Sequence, residues 1–201
     1  MDLTTMQTQL DLKTGIGLSV EAQRSYLNEA VQFISAEADW PWLDATDATV
    51  LTVNAQARYT LPTDWERTRT VNVGGMDARF MNIADIDRFQ YFDDVRTLWS
   101  FGVDGGSLVI APTPTSALAL IHRYVKQEPV LVNPSDTPLI PTRFHAAIVT
   151  YAAKLAMEQR GKTGRVDTFD KSWKDWKRAM VDEQRRTRGP LRIRVRNGYP
   201  I

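Results

Sequence analysis

The spacing of apolar residues changes twice along the chain, and this change limits the fold more than any other feature. Apolar residues recur at helical intervals in residues 1–43 and again in residues 138–188. Between them, short runs such as TVLTV (49–53) and LALIHRYVK (118–126) have strand-type composition or alternation. Helices that flank a β segment most simply pack on each other. The sequence therefore predicts an α+β fold, a helical bundle of N- and C-terminal helices with an inserted, largely antiparallel β domain.

Two helices are predicted in the first stretch. Gly15 and Gly17 interrupt the first, and Ser19 is a suitable N-cap for the second. The second helix must end near Asp39, because the residue before Pro41 is pushed out of the α region. Its predicted core-facing stripe consists of Leu27, Ala30, Val31, Ile34 and Ala38.

Two more helices follow Pro141. The first has an apolar stripe formed by Phe144, Ile148, Tyr151 and Leu155. The second ends before Gly189-Pro190 and has a stripe formed by Val166, Phe169, Trp173, Trp176 and Met180. Helical spacing predicts that this stripe packs mainly against the other helices of the bundle. Since aromatic anchors concentrate binding energy at subunit contacts, Trp173 and Trp176 are also candidate interface aromatics.

The inserted β domain is assigned to residues 44–137. Residues 98–112 (LWSFGVDGGSLVIAP) read as a hairpin with its turn at Asp104, Gly105 and Gly106. A short helix is predicted around Ala84–Phe92. Prolines at the ends of the strand-like runs mark turns and limit the length of each strand.

The chain ends in a basic segment, residues 189–201, which we call the C-terminal arm. Six arginines and no acidic residue lie between Arg185 and Ile201. Setting those six aside leaves 19 basic against 24 acidic residues in positions 1–184, a net charge of −5. An acidic body with a basic tail suits docking of the tail on an acidic partner.

The arm alternates apolar and basic residues as an extended strand would. Leu191, Ile193 and Val195 would lie on one face, with Arg192, Arg194 and Arg196 on the other. This pattern predicts strand addition to the exposed sheet edge of a partner. The residues assigned to this docking arm are Arg188, Leu191, Arg192, Ile193, Arg194, Val195, Arg196 and Tyr199.

Nothing in the sequence predicts an enzyme, a metal site or a cofactor. There is no cysteine, which excludes disulfides and thiolate chemistry. The two histidines, His122 and His145, lack the spacing of a metal motif, and the glycine-rich GVDGG is a turn rather than a phosphate loop. Neither a secretory signal nor a membrane span is predicted, so we expect a soluble protein made in the cytoplasm.

The order of the motifs is similar to that of the head-to-tail adaptor (connector) proteins of tailed bacteriophages, including podophage tail tubular and gatekeeper proteins. The resemblance covers nearly the whole chain. It rests on a first helical stretch that ends in DWPWL, a β domain that opens with TVLTV and ARYTLPTDW, and the later segments GGSLVIAPTP, LALIHRYVKQEPVL and PLIPTRFHAAIVTYAAKLA.

The resemblance implies a structural virion protein at the neck between head and tail, assembled in the host cytoplasm. Such adaptors form a ring, typically of twelve copies, beneath the portal protein. The ring docks the tail or neck protein below it and lets genomic DNA pass through its lumen without sequence-specific binding. In this family the C-terminal segment commonly contacts the portal, which is the position of the arm here. The acidic body would suit DNA passage, because like charge repels phosphate.

Two other classes of function stay open. The arm is also typical of a nucleic-acid-binding segment that enters a minor groove or binds RNA. A hydrolase associated with the tail is the second alternative, although no catalytic motif supports it. A steep loss of affinity with salt would distinguish the first alternative, and loss of activity on mutation of His122 and His145 the second.

Overall fold

The computed structural model describes residues 1–91 and 98–188, and the chain divides into two compact units. The first, which we call the helical unit, comprises Met1–Trp42 and the described residues from Glu128 onward. The second, the β unit, is Leu43–Gln127. The predicted α+β class is confirmed.

The helical unit begins with two capped helices, α1 (Leu3–Thr14) and α2 (Val20–Ala36). The Asp2 carboxylate accepts a hydrogen bond from Thr5 N–H at the start of α1, as N-cap residues do. Gly15 ends α1 with a left-handed φ of 62°. Ser19 caps α2 through its side-chain oxygen, as predicted.

Helix α4 (His145–Gln159) packs against α1, α2 and α5 (Thr163–Arg188). A short 3₁₀ turn, Thr142–Phe144, precedes it. Its buried surface is rich in alanine, which lets neighbouring helices approach closely; the buried alanines are Ala147, Ala152, Ala153 and Ala156. Four of the five predicted stripe residues are fully buried: Leu27, Ala30, Val31 and Ile34. The fifth, Ala38, lies beyond the end of α2 and is partly exposed.

Residues 128–137, which the sequence pattern placed in the β domain, belong to the helical unit. Leu3 N–H donates to the Asp136 carbonyl at 2.9 Å, and Gln32 Nε2 donates to the Glu128 carbonyl at 2.9 Å. The Glu128 side chain is 2% exposed, and its carboxylate accepts from Leu139 N–H at 2.6 Å. Hydrogen bonds from α1 and α2 thus hold a segment that has no strand or helix of its own.

The β unit is a seven-stranded mixed sheet with the spatial order β1-β7-β3-β4-β5-β6-β2. Neighbouring strands are antiparallel except for the parallel pair β4–β5. The helix α3 (Ile83–Tyr91) lies between β4 and β5 in sequence. The strands are β1 (Asp44–Leu51), β2 (Arg58–Thr60), β3 (Trp65–Val73), β4 (Met76–Phe80), β5 (Ser100–Asp104), β6 (Ser107–Ala111) and β7 (Ala119–Lys126).

One buried cluster joins strands from both ends of this order, which shows that the sheet curls around its own core. Tyr59 on β2 and Leu120 on β7 belong to the same cluster, although four strands lie between β2 and β7 in the sheet order. The inner face follows the two-residue period of a strand, so that Leu120, His122 and Tyr124 all point inward and are buried. The other core members are Leu61, Val71, Val73, Phe101, Leu108 and Ile110.

Helix α3 packs on β5 and β6, where Ile86 joins Val109 and Ala111 in a second small core. This packing depends on Gly102, because a Cβ atom built there would lie 2.8 Å from the Cδ1 atoms of both Ile83 and Ile86. The β5–β6 hairpin turn was predicted and is confirmed: Gly105 and Gly106 have φ values of 53° and 80°.

Candidate assembly surfaces

The predicted docking arm lies almost entirely outside the described residues. Arg188 is the last residue of α5, and the other residues assigned to the docking arm follow it in the chain. The positions outside the described residues are Leu191, Arg192, Ile193, Arg194, Val195, Arg196 and Tyr199.

The helix that leads into the arm is fixed in place close to its C-terminal end. Met180 is fully buried, and the Glu183 carboxylate forms an ion pair with the Arg143 guanidinium. One residue later, Gln184 Nε2 donates to the Asp39 carbonyl at 2.7 Å. The helical unit therefore holds α5 up to Gln184, and the chain leaves it from a defined position.

The two candidate interface tryptophans differ in burial. Trp173 is 5% exposed and packs edge-on against Tyr151, with ring centroids 5.0 Å apart. Trp176 is half-buried. Trp173 therefore packs within the helical unit, as its helical spacing predicted.

Phe33 presents an aromatic surface that the sequence pattern missed. Its ring stacks on Tyr151 at 4.5 Å and lies edge-on to Trp173 at 6.3 Å, yet the residue is 38% exposed. Phe33 lies outside the stripe of Leu27, Val31 and Ile34, so spacing along α2 did not single it out. Contact with α4 and α5 gives it a partly buried position.

Charged residues surround this aromatic group. Lys154 Nζ lies 2.7 Å from an Asp170 oxygen, and Lys174 lies 2.7 Å from the other oxygen. Hydrogen bonds from these two lysines lower the pKa of Asp170 to about 2. Glu37 forms an ion pair with Lys177. The surface around Phe33 thus carries charges of both signs that are paired within the unit.

An apolar surface also lies on β4. Met76 pairs with Val73, and Ala78 pairs with Val71. Because the side chains of both valines are in the core, the side chains of Met76 and Ala78 also face the inner side of the sheet. Met76 is nevertheless 49% exposed and Phe80 is 65% exposed. β4 was not predicted as a strand, since Asp77, Arg79 and the preceding Gly-Gly pair obscure its alternation.

The edge strand β1 contains a β-bulge. Asp47 pairs with His122 and Val50 with Leu120, so that Ala48 and Thr49 together face Ile121. The Asp47 carboxylate caps the bulge, accepting from Thr49 N–H at 3.0 Å and from Thr49 Oγ1 at 2.7 Å. The backbone hydrogen bond is the main reason why the pKa of Asp47 is lowered.

His122 belongs to a polar cluster on the inner side of β3 and β7. Its Nε2 lies 3.0 Å from Thr68 Oγ1, which accepts a hydrogen bond from Trp65 Nε1 at 3.1 Å. Burial lowers the pKa of His122, and the Asp47 carboxylate opposes part of that shift. Tyr124 stacks on the imidazole at 5.1 Å and donates to Asp64 at 2.9 Å; burial and this bond raise the pKa of Tyr124 to about 12.

His145 is 2% exposed and has a structural environment as well. Its Nε2 donates to the Ile140 carbonyl at 2.7 Å, and its Nδ1 lies 2.6 Å from the nitrogen of Met1. Burial is the largest cause of its lowered pKa. The two histidines lie in different units, each bonded to neighbours within its own fold.

Within residues 1–91 and 98–188, no three acidic or histidine side chains come together in a group that could hold a metal ion. No helix in the same ranges is long and apolar enough to cross a membrane.

The comparison with known families agrees with the predicted resemblance. The model of the family described as SU10 adaptor protein matches residues 1–194, which is both units together with the arm as far as Arg194. No curated protein matches the chain. Because the match covers nearly the whole sequence, the chain belongs to the SU10 adaptor protein family, a family of phage head-to-tail adaptors.

Proposed function

We propose that this protein is a structural head-to-tail adaptor that forms a ring beneath the portal, docks the tail or neck protein below, and lets DNA pass through its lumen. The family match over residues 1–194 carries the proposal. A ring requires a heterologous contact between copies, repeated until it closes. Twelve copies would have a mass of about 274 kDa, from 22.8 kDa per chain.

The charge distribution supports DNA passage without binding. Positions 1–184 carry a net charge of −5, and this sign repels the phosphate backbone. A lumen lined by such a body would let DNA slide. The opposite charge is concentrated in the last seventeen residues, which comprise the end of α5 and the arm.

The arm is the proposed portal-binding element. Its apolar residues Leu191, Ile193 and Val195 would enter the partner's core when the arm adds to a sheet edge, and its arginines would pair with carboxylates at the rim. The fixed position of Gln184 supports this role, because it gives every copy in a ring the same starting point for the arm. Many short strands presented together gain affinity through effective concentration.

Particle imaging of the protein mixed with the portal from the same genome tests this proposal. We expect rings attached to portals with the full chain. Truncation after Arg188 should leave the helical content unchanged and abolish attachment. Ile193→Asp should have nearly the same effect, because it places a charge on the buried face, whereas Ile193→Val is the matched control that should attach. Unchanged attachment of the truncated protein would show that the arm is not the docking element.

Nucleic-acid binding by the arm is the second candidate, which the cluster of arginines favours. It predicts binding to DNA that weakens steeply as salt rises and disappears on truncation after Arg188. The adaptor role predicts that truncation removes portal attachment instead. Family membership implies a non-enzymatic role, and the burial of His122 and His145 supports it, since each histidine is bonded to its own fold.

A further inference from the structure

Strand β1 ends the sheet, and sheet edges are the usual place for a strand from another chain to pair. At eight residues it is the longer of the two edges. The opposite edge, β2, has only three residues, and its Arg58 forms an ion pair with Asp104 at 2.7 Å. β1 is therefore the edge at which strand addition to this chain would take place.

The arm of a second copy would suit this edge in charge and in pattern. β1 carries Asp44, which pairs with Arg69 of β3 at 2.7 Å, and Asp47, and has no basic residue of its own. Residues 191–196 of the arm carry three arginines and no acid. The sequence of residues 191–196 alternates apolar and basic residues, the pattern expected of a strand with two different faces. In a ring, arms and β1 edges would be present at high local concentration, so that pairing between copies would compete with pairing to the portal.

Two features of β1 oppose such pairing. The bulge at Ala48 and Thr49 breaks the regular spacing that an added strand needs, and Thr49 N–H is already bonded to Asp47. Asp47 is also half-buried on the side of the sheet that faces the core. Bulges and inward-pointing charges are devices by which natural sheets protect their edges.

We infer that the bulge capped by Asp47 prevents the arm of a second copy from pairing with β1, and so leaves the arm for the portal. This inference rests on the proposed function, in which the arm binds as a strand. Asp47 then has a role in partner choice, since it disfavours the wrong partner rather than binding the right one.

Deletion of Ala48 tests the inference, because it leaves Thr49 alone opposite Ile121 and restores one-to-one pairing without moving Asp47 or Val50. We expect the deletion variant to self-associate about 5-fold more tightly than the wild type in light scattering, since one added hydrogen bond contributes about 1 kcal/mol. Truncation after Arg188 in the same variant should abolish the gain. Asp47→Asn, which keeps an oxygen for Thr49 N–H and so the capped bulge but removes the charge, should show a smaller gain than the deletion.

A labelled peptide of residues 189–201 provides a second measurement. The peptide should bind the deletion variant more tightly than the wild type. If circular dichroism shows that the deletion variant does not fold, Asp47→Val is used in its place. A folded variant that neither self-associates nor binds the peptide more tightly would overturn the inference. Equally tight binding of the peptide to β1 of the wild type would overturn it as well. Portal attachment of the wild type is measured in parallel, so that failure of the proposed function is recognised separately.

Discussion

Asn28 and Leu131 form a reciprocal pair of hydrogen bonds between a side chain and a backbone. Asn28 Nδ2 donates to the Leu131 carbonyl at 2.9 Å, and Leu131 N–H donates to Asn28 Oδ1 at 2.8 Å. The amide thus satisfies both backbone groups of a residue that is 1% exposed and has no strand partner. Val130 and Val132 on either side are 60% and 57% exposed, so this segment presents two valines from a fixed backbone.

Asn28→Ala should therefore destabilise the helical unit by about 1–3 kcal/mol, because it leaves the backbone groups of Leu131 without partners. The free energy of unfolding in urea measures the loss. Ser25→Ala changes an exposed residue of the same helix and should alter stability by less than about 0.5 kcal/mol. Equal effects of the two substitutions would contradict this account.

Gly102→Ala should destabilise the β unit by about 1–3 kcal/mol, because the new methyl group overlaps Ile83 and Ile86 and has the Met81 carbonyl oxygen 3.0 Å away. Gly164→Ala is the matched control, since nothing lies within 4 Å of its Cβ position in α5. It should stabilise the protein by about 0.5–1 kcal/mol. Thermal unfolding of both variants checks the pair, and a neutral Gly102→Ala would show that α3 can move away.

Trp173→Ala should cost about 3–5 kcal/mol, since it removes a nearly buried ring that contacts Tyr151 and Phe33. Trp176→Ala should cost less, because that residue is only half-buried. Urea unfolding measures both variants. If Trp173→Ala lowers the free energy of unfolding by less than about 1 kcal/mol, the ring does not stabilise the unit, and this result would favour a role of Trp173 at an interface.

Stability should fall as the pH drops below about 6.5, and His122 should account for part of the loss. Its pKa is lowered in the folded state, so the unfolded chain binds the proton first. The stabilisation is complete above the unfolded pKa and decreases from there toward the lower, folded pKa. One histidine contributes at most about 1.4 kcal/mol per pH unit.

His122→Gln should reduce this dependence without abolishing it, because the pKa of His145 is lowered as well. Urea midpoints of both proteins between pH 8 and pH 5 provide the measurement. Parallel curves for the variant and the wild type would show that His122 does not titrate differently on folding.

Local signals made much of the fold predictable. The caps at Ser19 and Gly15, the α2 stripe and the Gly105-Gly106 turn each depend on a few neighbouring residues, and the structure has all of them. β4 was not predicted because its own residues are mostly polar or exposed. Its strand conformation depends on pairing with β3 and with the parallel strand β5. Residues 128–137 were assigned to the β domain but group with the helical unit. Their contacts could not be read from the local sequence, since Asn28 and Gln32, which bind them, lie about a hundred residues earlier.

The candidate surfaces were less predictable than the fold. Arginine and apolar alternation in the arm is visible in the sequence, but Phe33 becomes notable only when Tyr151 and Trp173 meet it from other helices. The bulge at Ala48 could not be read from DATDATVL, because it exists only in register with β7.

The position of the β unit within the chain also sets an order for events on the ribosome. Residues 43–127 leave the exit tunnel as a complete unit, ahead of the residues of α4 that follow them in the chain. Helices α1 and α2, although synthesised first, must wait for α4 before their apolar faces are covered, since both pack against it. Domains fold as units during synthesis. The nascent chain should therefore acquire its protease-resistant middle first and its ends last, and the exposed α1 and α2 are the part that a chaperone would hold in the interval.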